Sequence, residues 1–388
     1  MLPYSTQCID DKDIEAVTSV LRSPYLTTGP KVPEFEQAIC AYTGAAHACA
    51  MSSATAALHI SLLALGIKPG DIVYVSAISF VASSNCALYC NASVEFVDVN
   101  KDTGNLDIDA LTAMLSQAKK NNTLPKALVC VHLSGRSCDM KAIHALSKEY
   151  GFAVVEDASH ALGASYDGSK VGCCRYSDIT VFSLHPVKII TTAEGGLALT
   201  NNVDLAYKLQ LLRSHGITHD KEHMQNKDMP SFYYEQCDLG YNYRMTDMQA
   251  ALGLSQLTKL DDFVAKRGEL ARNYLSLIDI DGIELPVPDS TDNISSWHLF
   301  QIRVLDNKRD ALYTAMRGHD IGVQVHYLPI YRHPYYQAMQ KYAPLAGAES
   351  FFSQTLSIPL FVKLIKEQQI EIVIANIKSL MASIRQGS

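Results

Sequence analysis

Short apolar strand patterns alternate with helical patterns through the first 200 residues of this 388-residue chain. The runs DIVYVS, VEFVDV and ALVCVH are each followed by a helical segment. Such alternation predicts an α/β fold with a mainly parallel central sheet and helices on both faces. No strand pattern is followed by GxGxxG, which argues against a dinucleotide-binding fold.

The pattern changes near residue 260. A long helix with a polar entry is predicted over residues 239–267. After it, WHLFQIRVL and IGVQVHYLPIY read as strands separated by a helix, and a final helix covers 365–385. A chain of this length is expected to form more than one core. We therefore predict a large α/β domain over 1–258 and a smaller C-terminal α+β domain over 259–388.

Charge and composition exclude several classes of protein. A net charge of -7 and a pI near 6.0 argue against nucleic-acid binding, which needs clustered Lys and Arg. No apolar run reaches the roughly 18 residues of a membrane span, and no secretory signal is visible at the N-terminus. The ten cysteines are scattered without metal-ligand spacing. We expect a cytoplasmic protein with no metal site and no membrane or nucleic-acid partner.

The stretch 153–196 places an acid and a lysine where two strands end. The apolar run from Ala153 predicts a buried parallel strand that ends at Asp157, and a second strand ends at Ser183, shortly before Lys188. Pyridoxal phosphate needs an acid at its ring nitrogen, a lysine that attaches it, and donors around its phosphate. Asp157, Lys188 and Ser183 match these needs, although acids and lysines at strand ends are common in α/β proteins.

Four segments give the stretch a family context: EDASHALG, FSLHPVKIITTAEGG, RSHG and YNYRMTDMQAALGLSQL. In this order they resemble the DegT and StrS type of sugar aminotransferase, which are fold-type I pyridoxal phosphate enzymes. The resemblance implies that Lys188 and Asp157 are the catalytic residues and that pyridoxal 5'-phosphate is the cofactor. It also implies a homodimer with shared active sites, in which Asn242 reaches the partner's cofactor phosphate.

The resemblance assigns further residues to the two ligands. The cofactor is expected to contact Ala54, Thr55, Phe80, Asp157, His160, Ser183, Lys188 and Asn242. The substrate is expected to contact Tyr4, Tyr25, Leu26, Thr27, Gln324, His326 and Tyr327. Ordinary roles remain open for some of these residues: a helix N-cap for the serines before Ala54, core packing for Phe80, a turn for Asn242 and an exposed loop for residues 25–27.

The same resemblance suggests the reaction. The wording FSLHPVKIITTAEGG and QVHYLPIY most resembles enzymes that aminate carbon 4 of a UDP-linked 4-keto-6-deoxy-N-acetyl sugar on the route to pseudaminic acid, with L-glutamate as the donor. Another nucleotide keto sugar, such as the epimer leading to bacillosamine, is the alternative substrate. A sugar dehydratase is disfavoured by Lys188, and a non-enzymatic regulator is disfavoured by the intact cofactor residues. Arg213, His215 and Arg244 fall in matching motifs, and which of them, if any, binds the donor carboxylate is left open.

Overall fold

A computed structural model describes residues 1–366 and 369–386. Strands and helices alternate up to residue 200. The helices here are α1 (Asp11–Leu21), α2 (Lys31–Thr43), α3 (Ala54–Ala64), α4 (Ala82–Tyr89), α5 (Ile108–Asn121) and α6 (Met140–Tyr150). The strands are β1 (His47–Met51), β2 (Ile72–Ser76), β3 (Ser93–Val97), β4 (Ala127–Val131), β5 (Ala153–Asp157), β6 (Ser165–Tyr166), β7 (Ser169–Lys170), β8 (Ile179–Ser183) and β9 (Gly196–Thr200).

Helices dominate the rest of the chain. They are α7 (Val203–Arg213), α8 (Asp247–Leu257), α9 (Leu260–Leu277), α10 (Arg309–Gly318), α11 (Pro334–Met339), α12 (Ala346–Gln354), α13 (Lys363–Lys366) and α14 (Ile370–Gln386). The strands are β10 (Ile217–Thr218), β11 (Glu235–Gln236), β12 (Ile283–Glu284), β13 (Asn293–Ile294), β14 (Phe300–Val304) and β15 (Thr355–Ile358).

Two sequence predictions are wrong here. The long helix predicted over 239–267 begins only at Asp247, because Thr246 caps it through a capping box with Gln249. It also breaks at Lys259, whose ammonium group bonds Asp10 and Asp13 on the α1 side. The predicted strand IGVQVHYLPIY forms no strand. Its residues make single bridges instead, one between Ile321 and Leu2 and one between Gln324 and Ser357.

The central sheet has seven strands in the order β1, β9, β8, β5, β4, β2, β3. β9 runs antiparallel to both of its neighbours, and the other adjacent pairs are parallel. β4 and β8 are buried along their whole length, as a sheet covered on both faces requires. Separate apolar clusters lie against it, one including α3 and α4 and another including α2 and α8. The predicted mainly parallel α/β architecture is confirmed.

A second sheet forms in the C-terminal part of the chain. β12, β14 and β15 pair antiparallel in that order and pack with α10 and α14 around an apolar cluster of their own. Some pairings cross the predicted boundary, since β13 pairs with β6 and Leu2 bridges Ile321. The division after residue 258 therefore stays a prediction. In the described ranges 1–366 and 369–386, every helix is too short or too polar to cross a membrane.

Candidate active site

Asp157 and Lys188 line one cavity at the carboxyl edge of the central sheet. β5 ends at Asp157, and its parallel neighbour β8 ends at Ser183, with Asp157 opposite Val181 in the register. Lys188 follows β8 in a turn closed by its backbone N–H, which donates to the carbonyl of His185 (2.9 Å). The aligned strand ends thus bring the acid and the lysine to the same space.

The surroundings of Lys188 make its neutral amine easier to form than in water. Burial lowers the pKa of Lys188 to about 8, and the negative carboxylate of Asp157 opposes this shift. A measurable fraction of the side chain is therefore unprotonated at neutral pH. An unprotonated amine is the form that attacks a carbonyl carbon or accepts a proton.

Two serines hold the Asp157 carboxylate. Its Oδ2 accepts a hydrogen bond from the Ser83 hydroxyl (2.6 Å), and its Oδ1 accepts from the hydroxyl (2.5 Å) and the backbone N–H (3.2 Å) of Ser159. The sequence predictions missed both serines. Ser159 had a local signal, since it lies two residues after an aspartate, the spacing of an Asx turn. Ser83 lies 74 residues away on α4 and had none.

The cavity has a volume of about 500 Å³, within the range of ligand sites. It collects most of the residues predicted to bind cofactor or substrate. Those that line it are Tyr4, Ala54, Thr55, Phe80, Asp157, His160, Ser183, Lys188, His326 and Tyr327. The resemblance therefore named part of the residue set that lines this cavity, while the roles of these residues remain predictions.

The first turn of α3 forms one wall. Ser53 is an ordinary N-cap whose hydroxyl accepts from the backbone N–H of Ala56 (3.1 Å). The backbone N–H groups of Ala54 and Thr55 have no acceptor among the described residues, so they can donate to an anion in the cavity. The missing Cβ of Gly196 leaves room for this helix start, because a Cβ there would lie 2.4 Å from the nitrogen of Ala54.

Aromatic rings also line the cavity. Phe80 is 59% exposed at the cavity, so core packing, the alternative role for this residue, is wrong. Its ring centroid lies 6.4 Å from that of Tyr327, and the Tyr4 ring lies 5.4 Å from His326. Tyr4 is held by its backbone carbonyl, which accepts from the N–H of Leu360 (3.0 Å).

His160 and His326, which line the cavity, are uncharged. Burial, together with the positive charge of Lys188, lowers the pKa of His326 to about 4. The same causes hold the pKa values of His160 and of its neighbour His298 well below their usual range. The His160 and His298 rings are 4.4 Å apart. The cavity is thus positive at Lys188, negative at Asp157 and neutral at His160 and His326.

Five predicted contacts lie away from this cavity. Tyr25, Leu26 and Thr27 are exposed near the start of α8, where the N–H of Asp247 donates to the carbonyl of Leu26 (3.1 Å). Gln324 exchanges backbone hydrogen bonds with Ser357, and its side chain is exposed. Asn242 is exposed beside Ser214, with which it forms a bridge. These residues do not line the cavity of the same chain, and their assigned roles stay predictions.

Arg213 is committed to a structural contact. Its guanidinium donates to Glu36 (2.6 Å) and to the carbonyl of Ala50 (2.9 Å), which ties α7 to α2 and β1. This occupation argues against Arg213 as the site of a donor carboxylate. The choice between His215 and Arg244 stays open.

Comparison with known proteins points in one direction. The model of the DegT/DnrJ/EryC1/StrS aminotransferase family matches residues 7–378. A Campylobacter jejuni protein named UDP-4-amino-4,6-dideoxy-N-acetyl-beta-L-altrosamine transaminase is 41% identical over 362 residues, 92% of each chain. The structure of Helicobacter pylori PseC, an aminotransferase of pseudoaminic acid biosynthesis, superposes with a TM-score of 0.90 at 33% identity, covering 98% of this chain and 99% of that one. The PLP-form of a putative sugar aminotransferase from Streptococcus pneumoniae gives a TM-score of 0.88 at 28% identity, with 99% of both chains covered.

Proposed function

As a member of the DegT/DnrJ/EryC1/StrS aminotransferase family the chain is a sugar aminotransferase, and we propose that it transfers the amino group of L-glutamate to C4 of a UDP-linked 4-keto-6-deoxy-N-acetyl sugar with pyridoxal 5'-phosphate as cofactor. The observation that carries the proposal is the pairing of Lys188 with Asp157 in one cavity that Ala54 and Thr55 also line, whose backbone N–H groups have no acceptor among the described residues. The substrate follows the name of the 41% identical relative.

The residues present fit this cofactor. Lys188 supplies an amine whose lowered pKa suits attachment to an aldehyde. The N–H groups of Ala54 and Thr55, which lack acceptors in the described chain, suit a phosphate at the α3 terminus. Asp157, held on both oxygens by Ser83 and Ser159, supplies a fixed negative charge for a protonated ring nitrogen.

Several side chains of the protein have separate roles in the proposed reaction. When bound, pyridoxal phosphate supplies an electron sink for the carbon that carries the amino group. Lys188 accepts a proton at Nζ and returns it, which its pKa of about 8 allows near neutral pH. Ser83 and Ser159 keep the Asp157 carboxylate oriented, and the neutral His160 and His326 add no charge that would compete with it.

The absorption spectrum of the purified protein tests the cofactor and the donor. We expect a yellow protein whose visible band bleaches when L-glutamate is added, while D-glutamate serves as the matched control and leaves the band unchanged. Borohydride reduction should add the cofactor mass to the peptide that contains Lys188. A protein that stays colourless with added pyridoxal phosphate would refute the enzymatic proposal.

The sugar requires a separate assay. Glutamate is offered with the two epimeric UDP-4-keto-6-deoxy-N-acetyl sugars, and the products are resolved by mass spectrometry and NMR. Amination of the epimer on the pseudaminic acid route, with kcat/KM higher by about tenfold or more, is expected. A preference for the other epimer would favour the bacillosamine-type alternative.

A homodimer with shared sites is also proposed. Asn242 is exposed and lies outside the cavity of its own chain, as expected for a residue that serves the partner's cofactor phosphate. Mixing inactive Lys188→Ala and inactive Asn242→Ala chains should restore part of the activity, because one site of each hybrid is intact. Hybrids that form without activity would contradict the shared site. The cytoplasm is the proposed compartment, since the ten cysteines are free thiols.

A further inference from the structure

Ser134 has an unusual backbone conformation beside His160 and His298. Its φ of 61° and ψ of 0° lie in the left-handed region, which a residue with a Cβ rarely adopts. Two contacts hold it there. Its carbonyl accepts from the N–H groups of His298 (2.8 Å) and Leu299 (3.3 Å), just before β14, and its hydroxyl donates to Oε1 of the buried Gln301. Contacts with β14, which contains Gln301, and with the two residues just before it thus hold Ser134 in this strained conformation.

This conformation aims the N–H of Ser134 at His160. The N–H lies 3.3 Å from His160 Nδ1. A backbone N–H can only donate, so Nδ1 must be an acceptor without a proton. Burial and the positive Lys188 keep the pKa of His160 well below its usual range, so the ring is neutral. The single ring proton of His160 is therefore on Nε2.

The Nε2 proton of His160 in turn sets the direction of the hydrogen bond with Tyr327. His160 Nε2 lies 3.3 Å from the Tyr327 hydroxyl oxygen. Because Nε2 carries the proton, it donates and the tyrosine oxygen accepts, which leaves the tyrosine's own proton free to point into the cavity that Tyr327 lines. Burial raises the pKa of Tyr327, so the phenol keeps that proton.

Gln301 holds both ends of this chain of contacts. Its Oε1 accepts from Ser134, and its Nε2 donates to the carbonyl of His326 (2.8 Å), the residue before Tyr327. A second donation goes to the Thr355 hydroxyl (3.1 Å). One buried amide therefore sets the position of the Ser134 N–H and of the tyrosine that receives the relayed hydrogen bond.

We propose that Ser134 and Gln301 are positioning residues that fix the His160 proton on Nε2 and so turn the Tyr327 hydroxyl into a hydrogen-bond donor toward an acceptor oxygen of the sugar substrate. This rests on the proposed function for the nature of the acceptor. It assigns no proton transfer to Ser134 or Gln301.

A double-mutant cycle tests the coupling. Tyr327→Phe and Gln301→Leu are each expected to lower kcat/KM by about tenfold, the value of one neutral hydrogen bond at its upper end. The double variant should lose no more than Tyr327→Phe alone, because Gln301 acts through the tyrosine hydroxyl. Thr355→Val, which removes only the other acceptor of the Gln301 amide, is the matched control and should stay within about twofold of wild type. Losses that multiply in the double variant would overturn the proposal.

The tautomer is measured without turnover. Protein labelled with ¹⁵N-histidine should show a neutral His160 protonated at Nε2, assigned by loss of the signal in His160→Gln. Protonation at Nδ1 would overturn the proposal. A wild-type protein that fails to bind pyridoxal phosphate would instead refute the proposed function, and the nitrogen spectrum would still decide the tautomer. Should Gln301→Leu not fold, the nitrogen spectrum of His160 in the wild-type protein decides the tautomer by itself.

Discussion

Glu156 and Asp157 are adjacent acids on β5 with opposite environments. Glu156 accepts hydrogen bonds from His132 Nε2 (2.7 Å), from Thr180 (2.9 Å) and from Ser177, in a site with no opening to the cavity. Asp157 is held by two serines and faces the cavity that contains Lys188. The first acid is enclosed by its partners, whereas the second can act on a ligand.

The difference between the two acids follows from the geometry of a β-strand. Successive side chains of β5 point to opposite faces of the sheet, so one residue step separates a structural acid from a candidate catalytic one. Burial opposes ionisation of Glu156, but the hydrogen bonds from His132, Ser177 and Thr180 outweigh it and lower the pKa of Glu156. That acid stabilises the fold in its charged form, while Asp157 retains an open side for a ligand.

The largest expected effect separates the two acids by activity. Asp157→Asn keeps the hydrogen-bonding shape but removes the negative charge, so we expect kcat to fall by about 100-fold or more with little change in melting temperature. Cofactor binding is followed by absorbance and turnover by glutamate-dependent product formation. Full activity in Asp157→Asn would remove the basis of the comparison.

Glu156→Gln should show the opposite pattern. The change removes the negative charge that pairs with His132 Nε2 (2.7 Å), so we expect a loss of about 2 kcal/mol in the free energy of unfolding and near-normal kcat in the folded protein. Urea denaturation measures the loss. Because the folded pKa of Glu156 is lowered, its contribution is present above the unfolded pKa of about 4.3 and is lost as pH falls. The difference from wild type should therefore shrink below about pH 4, and a constant difference would contradict this account.

The titration of Lys188 gives a finer contrast. The attachment rate of pyridoxal phosphate to cofactor-free protein should rise with pH and level off above about 8, the pKa of Lys188. Asp157 raises that pKa, so Asp157→Asn should move the midpoint to lower pH. Glu156→Gln, which does not act on Lys188, should leave it unchanged. Stopped-flow absorbance measures the midpoint. Equal shifts in both variants would show that Glu156 acts on Lys188 as strongly as Asp157 does, although its side chain points to the other face of the sheet.

Much of this contrast was predictable from the sequence, but one part was not. The apolar run before Glu156 and the alternation of a strand indicate that the two acids face opposite ways. Which face carries the cavity depends on strand order and on residues distant in sequence, such as Ser83 on α4 and His132 after β4. The family resemblance, and not the local pattern, selected Asp157.

The remaining errors have the same physical origin. At the break between α8 and α9, Lys259 contacts Asp10 and Asp13, about 250 residues earlier in the chain, and helical periodicity does not record such contacts. The alternating pattern of IGVQVHYLPIY predicted a strand, yet the segment turns away from the sheet after Gln324 and places His326 and Tyr327 in the cavity. Tertiary contacts overrode local preference at both places.

The smallest expected effect compares two serines, one beside each acid. Ser83→Ala removes the donor to Asp157 Oδ2, and Ser177→Ala removes a donor to Glu156. We expect Ser83→Ala to lower kcat by about fivefold, because the Asp157 carboxylate loses one hydrogen bond that orients it toward a ligand. Ser177→Ala should instead lower the free energy of unfolding by about 1 kcal/mol and leave kcat within twofold. Paired kinetic and urea measurements on both variants decide this, and a loss of activity in Ser177→Ala equal to that in Ser83→Ala would mean that the enclosed acid also supports the chemistry.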